Sequence, residues 1–70
     1  MEKKVVDFIK KNNHKITWHF QGFVPDLKQV IVAKMKDGSF RCDHTINMIL
    51  YWSFVVAWVK VEEIKKLMAQ

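Results

Sequence analysis

Lys28-Gln29-Val30-Ile31-Val32-Ala33-Lys34-Met35-Lys36-Asp37-Gly38-Ser39-Phe40-Arg41-Cys42 reads as two strands joined by a tight turn. Val30, Ile31 and Val32 carry β-branched side chains, which pack well on a pleated surface. Asp37-Gly38 separates two strand-like runs, and this dipeptide is among the strongest local hairpin signals. The reason is that a type I′ turn needs positive φ at both central residues. The spacing predicts strands over residues 28–36 and 39–42, and with them the centre of an antiparallel sheet.

Upstream of the hairpin, Pro25-Asp26 is turn chemistry. Pro25 pushes Val24 to an extended conformation, and with Gly22 it closes the preceding element. That element, residues 15–20, alternates: Ile16, Trp18 and Phe20 point one way, Thr17 and His19 the other. A period of two marks a half-buried strand. Before it, residues 2–11 repeat at helical spacing, with Val5, Phe8 and Ile9 on one face. Glu2 lies in the first turn and Lys10 and Lys11 in the last, which suits the helix dipole. Asn12-Asn13 marks the stop, because Asn tolerates the left-handed conformation found after helix ends.

Downstream, residues 46–50 and 54–61 are the next strand candidates, separated by Tyr51-Trp52-Ser53. Residues 62–69 read as a closing helix with Ile64, Leu67 and Met68 on its apolar face. Glu62-Glu63 opens that helix, where negative charge is favourable, and Glu62 and Lys66 form an i,i+4 pair. The expected fold class is α+β: a short N-terminal helix, a four- to five-stranded antiparallel sheet of sequential hairpins, and a short C-terminal helix. The two helices are expected to cover one face of the sheet.

Seventy residues make one domain, residues 1–70. A chain of this size buries only about 60% of its unfolded surface, so it needs a staple or a rich core. Cys42 is the single cysteine, which rules out an internal disulfide and fits a reducing compartment. The core must come from a composition that is 50% hydrophobic, with three tryptophans, five phenylalanines and one tyrosine. Rings of this kind bury about 150–250 Å² each. Self-association into a homodimer is the other common remedy for small size. Residues 45–59 form the longest uncharged run, fifteen residues, short of the roughly 20 a spanning helix needs. The opening Met1-Glu2-Lys3-Lys4 leads into a charged helical pattern and not an apolar leader. A cytoplasmic location without a membrane partner is the expectation.

The stretch from Trp18 to Val61 carries a spaced pattern. Trp18 is followed by Pro25-Asp26, the strand Val30-Ile31-Val32, the turn Asp37-Gly38, and the closing strand Val55-Val56-Ala57-Trp58-Val59-Lys60-Val61. This pattern resembles the small family known as domain of unknown function 551. The chain departs from that family at Leu27-Lys28-Gln29, where further Gly or Asp is usual, and at Glu62-Glu63-Ile64, where a Pro-containing segment is usual. The resemblance implies a phage or prophage origin and a bacterial host cytoplasm. It implies no chemistry and carries over no functional residues.

Catalytic, metal-binding and cofactor-binding residues are not expected. Cys42 and His44, one apart on a strand, share a face, but two ligands fall short of a metal set. Nucleophilic catalysis requires Cys42 or Ser39 activated by a histidine held by a third group; His19 or His44 with Asp43 could be imagined in those roles, but nothing marks a nucleophile elbow or an oxyanion turn. Gly38 is accounted for by its turn, which leaves no phosphate cradle.

Binding is what remains. Twelve basic against seven acidic residues give a net charge of +5, a bias towards phosphates and acidic surfaces. Lys10, Lys11, Lys15, Lys34, Lys36 and Arg41 form a candidate basic patch for nucleic acid. Trp18, Phe20, Phe40 and Trp52 are candidate stacking rings. Eleven lysines against one arginine argue against specific base readout. Met48, Tyr51, Trp52 and Phe54 are the candidate protein-binding residues, because Tyr and Trp are enriched at binding hot spots. If residues 46–58 are extended, Leu50, Trp52 and Phe54 share one face and Ile49 and Tyr51 the other. The expected function is that of a small non-enzymatic protein that binds a host protein. Inhibition of a host enzyme or defence system is one form of it. The alternative is a basic nucleic-acid binder without sequence preference.

Overall fold

The computed structural model describes residues 3–70. Helix α1 spans Lys3–Asn12 and a 3₁₀ turn follows at Asn13–Lys15. Strands β1 His19–Phe20, β2 Val30–Met35 and β3 Phe40–His44 come next. Helix α2, Thr45–Met48, runs into a 3₁₀ segment, Ile49–Phe54. Strand β4 Val55–Lys60 and helix α3 Val61–Met68 complete the order. The α+β class, the N- and C-terminal helices and the antiparallel four-stranded sheet agree with the sequence reading.

The hairpin forms where Asp37-Gly38 places it, with Val32 opposite Cys42 and Lys34 opposite Phe40. Its turn type differs from the expectation. Gly38 has φ +87, while Asp37 stays at negative φ. Gly38 N donates to Met35 O at 3.0 Å and Met35 N donates to Ser39 O at 2.9 Å. This is a three-residue loop with a single left-handed glycine, the next most common hairpin form. Asn12 likewise stays out of the left-handed region, with φ −126. It closes α1 with its side chain, Nδ2 donating to the Phe8 carbonyl at 3.0 Å.

Strand order is β1-β4-β2-β3, so only β2 and β3 are a sequential hairpin. Strand β4 is antiparallel to both β1 and β2, and β2 to β3. Consequently β1 runs parallel to β2, and β3 parallel to β4. Parallel strands need a crossover, commonly helical. Residues 21–29 cross β4 and residues 45–54 cross β2. This corrects the expected strand at residues 46–50, which is instead α2 and the start of the 3₁₀ segment. An unbroken apolar run satisfies both periods, and the need to cross β2 selects the helical one. The first strand is also shorter than its alternation suggests. His19 lies opposite Trp58, so Ile16 would fall opposite Val61, which already belongs to α3.

The sheet separates two apolar clusters. On one face α1 and α3 bring Val5, Ile9, Val61 and Ile64 onto Val32 and Val59, with Ile16 beside them. Val5, Phe8 and Ile9 do share a helix face, and two helices do cover one side of the sheet. On the other face Met48 and Trp52 of the crossover pack on Ile31, Ala33, Val55 and Trp58.

Candidate protein-binding face

The two crossovers lie together on the face opposite α1 and α3, and hydrogen bonds lace them into one layer. Ile46 N donates to Leu27 O at 3.0 Å and Thr45 N to Gln29 O at 2.9 Å. The Thr45 hydroxyl, fully buried, donates to the same Gln29 carbonyl at 3.1 Å. Trp52 Nε1 donates to Gln21 O at 2.9 Å, and Gln21 Nε2 donates back to Trp52 O at 3.0 Å. Trp58 Nε1 reaches up from β4 to Phe23 O at 2.6 Å. Each buried tryptophan face thus keeps its one donor satisfied.

Within residues 45–54 the inward positions are Thr45, Met48 and Trp52, spaced three and four apart as one helical face. The outward positions are therefore Ile46, Ile49 and Leu50. All three are exposed, and Leu50 is 89% exposed. Across the seam lie exposed Phe23, Val24 and Leu27, with Phe23 at 71%. No charged residue occurs between Thr45 and Val59 or between Phe20 and Pro25. Apart from the exposed Asp26 and Lys28 the layer carries no charge, and large exposed apolar side chains gathered on such a layer are what a binding surface looks like, whereas scattered ones are ordinary.

The candidate protein-binding residues divide. Tyr51 and Phe54 are exposed at the edge of this layer. Trp52 is half-buried and acts as the anchor that holds the crossover to Gln21. Met48 is only 3% exposed and belongs to the core, which removes it from the surface. The expected grouping of Leu50, Trp52 and Phe54 on one face fails for the same reason: residues two apart diverge on a helix. Phe23, Leu27, Ile46 and Leu50 were not singled out by the sequence. For Phe23, Ile46 and Leu50 the signal was the absence of charge over residues 20–25 and 45–59, joined by a contact that sequence order does not show; Leu27, between Asp26 and Lys28, carries no such signal.

The candidate basic patch also divides. Lys10, Lys11 and Lys15 are exposed at the end of α1. Lys34 joins them on the helix side, its Nζ 5.9 Å from the Trp18 ring centre. Trp18 in turn stacks on Phe40 at 6.0 Å and donates Nε1 to Asn13 Oδ1 at 2.8 Å. Arg41 faces the other way. It lies opposite Ala33 in the sheet, and its guanidinium sits 5.6 Å from the Tyr51 ring centre. Lys36, in the turn, joins Arg41 in lining a groove with Tyr51 and Phe54. The six cations therefore do not form one stripe, because Lys34 and Arg41 sit on opposite faces. Of the candidate stacking rings, Phe20 is 70% exposed, while Trp18, Phe40 and Trp52 are half-buried.

Among the described residues no three His, Cys, Asp or Glu side chains gather as a metal set. Cys42 packs against the helix-side cluster, and the His44 ring lies 3.6 Å from Asp43. His19 stacks on Trp58 at 4.4 Å and brings Nε2 to 3.3 Å from both oxygens of Glu63. Among the described residues no helix is long and apolar enough to cross a membrane. Comparison with protein-family models, with curated proteins and with solved structures gives no match to this chain.

Proposed function

We propose that this chain is a small non-enzymatic binding protein that docks another protein against the layer built from residues 21–29 and 45–54. The observation that supports this reading is the outer surface of that layer. Phe23, Val24, Leu27, Ile46, Ile49 and Leu50 are all exposed on two segments joined by backbone hydrogen bonds. Burying such side chains against a partner is worth about 1.5–3 kcal/mol each at most, so a few of them suffice for a specific contact. A phage-type accessory protein that binds and modulates a host protein, such as a host enzyme or a defence system, is the particular form we favour. That step rests on the resemblance carried by Trp18, Pro25-Asp26, Asp37-Gly38 and Trp58, and it is analogy.

Affinity purification of the tagged chain from bacterial cells tests the reading when two variants run beside it. Leu50→Lys places a charge in the centre of the layer, and Lys11→Gln removes one far from it. The reading expects a stoichiometric protein partner that Leu50→Lys loses and Lys11→Gln keeps. A partner retained by Leu50→Lys, or no partner at all, contradicts it.

A nucleic-acid-binding reading has one observation in its favour. Lys10, Lys11, Lys15 and Lys34 lie around the end of α1, and Lys34 sits over Trp18. Titration with short single- and double-stranded DNA at two salt concentrations separates it, because phosphate contacts weaken steeply as salt rises.

A further inference from the structure

Beside the crossover layer, a groove of about 290 Å³ is lined by Met35, Lys36, Asp37, Ser39, Arg41, Tyr51 and Phe54. Met35, Tyr51 and Phe54 give it apolar walls, and Arg41 and Lys36 give it positive charge. Among the described residues no carboxylate lies within 4.0 Å of either cation. The one acid in the lining, Asp37, stays charged, held ionised first by Ser39 and to a smaller extent by Arg41 through space. Asp37 Oδ1 accepts from Ser39 Oγ at 2.6 Å and from Ser39 N at 2.9 Å. The groove thus combines an apolar slot with two cations against one acid, a positive balance with no ion pair closed within 4.0 Å.

We propose that this groove takes an acidic peptide segment in which a large apolar side chain stands next to a carboxylate. The apolar side chain fills the space between Met35, Tyr51 and Phe54, and the carboxylate meets Arg41 and Lys36. Arg41 already covers one face of the Tyr51 ring, which leaves that face closed to a stacked base. Lys10, Lys11 and Lys15 lie across the sheet with Lys34, so a polyanion bound there finds no continuous track to this groove. A single carboxylate fits two cations beside Asp37 better than a phosphate chain does. The inference rests on the protein-binding reading and specifies the partner's chemistry at the edge of the layer shared through Tyr51 and Phe54.

The test is titration of the ¹⁵N-labelled full chain with three probes, read by amide chemical shifts. The probes are a capped tripeptide with phenylalanine between two aspartates, its counterpart with two asparagines, and a short oligothymidine. The aspartate peptide is expected to shift the amides of Met35, Arg41, Tyr51 and Phe54. Arg41→Gln, checked as folded by its own spectrum, should weaken that binding roughly twofold to fivefold, the range of an exposed charge pair. The asparagine peptide should bind more weakly by a similar factor. Equal binding of both peptides, shifts centred outside the groove, tighter binding of oligothymidine, or no shift with any probe overturns the proposal. Such a failure removes the acidic-peptide chemistry alone. The protein-binding reading fails separately, through partner capture that is indifferent to Leu50→Lys.

Discussion

Gln21 and Trp52 donate to each other's carbonyls across the seam between the two crossovers, at 3.0 and 2.9 Å. The pair joins residues 31 apart in sequence, so it fixes the segment 45–54 against the segment 21–29. The side chains that flank it, Phe23 on one side and Leu50 on the other, are thereby held on one surface.

Removing this clasp should loosen the layer without abolishing the sheet. In Gln21→Ala the Trp52 carbonyl loses its side-chain donor, while Trp52 Nε1 keeps the Gln21 backbone carbonyl. A net hydrogen bond of this kind contributes about 0.5–1.5 kcal/mol. Urea denaturation should therefore show a lower midpoint with an unchanged slope. No change in midpoint would mean that the clasp does not form in solution.

Met48 and Leu50 distinguish a helical crossover from a strand. Two residues apart on a strand they would share a face, whereas on α2 and the 3₁₀ segment they point in opposite directions. Met48→Ala should cost about 2–5 kcal/mol, as core truncations do. Leu50→Ala should change stability by less than about 0.5 kcal/mol, as surface substitutions do. Equal losses at the two positions would contradict the assignment of residues 45–54.

The hairpin is the part most legible in the sequence, and for a local reason. Asp37-Gly38 and the β-branched run before it act over a few residues, so no knowledge of the rest of the chain is needed. Helix α1 is legible for the same reason, through the spacing of Val5, Phe8 and Ile9. The segment 45–54 is not, because Ile46, Met48, Ile49, Leu50, Tyr51 and Trp52 satisfy either period. What makes it helical is the strand order, which places β4 between β1 and β2 and is set by contacts distant in sequence. The candidate site inherits this difficulty. Tyr51 and Phe54 are exposed as expected, but Met48 turns inward, and Phe23 and Leu27 join the face only because the two crossovers meet.

The two glycines should respond differently to alanine. Gly38 has φ +87, and nothing lies within 4 Å of the Cβ it would gain, so the cost there is conformational alone. A left-handed non-glycine residue costs about 1–2 kcal/mol. Gly22, also with open space around it, is not in that region. Gly22→Ala should be near neutral. Thermal denaturation of the two single variants checks this, and equal shifts would count against the turn geometry.

Acid should destabilise the chain through Asp37 and Asp43. Donation from the Ser39 hydroxyl, then from its N–H, holds the Asp37 carboxyl below its usual range. The Asn47 side chain, then the His44 N–H, does the same for Asp43. Both groups release their protons more readily in the folded chain than in the unfolded one. Their contribution is therefore present above the ordinary carboxyl range, near pH 4, and is lost as pH falls through the lower folded values. Asp37→Asn with Asp43→Asn should flatten the stability curve below about pH 4. An unaltered acid limb would show that other carboxyls govern it.

The docking face itself is tested most directly by cross-saturation between a captured, unlabelled partner and the ¹⁵N-labelled chain in their complex. The amides of Phe23, Leu27, Ile46 and Leu50 should lose the most signal, with little loss at Lys10, Lys11 or Ile64. Losses centred on α1 and α3, with the residues 21–29 and 45–54 untouched, would contradict the account.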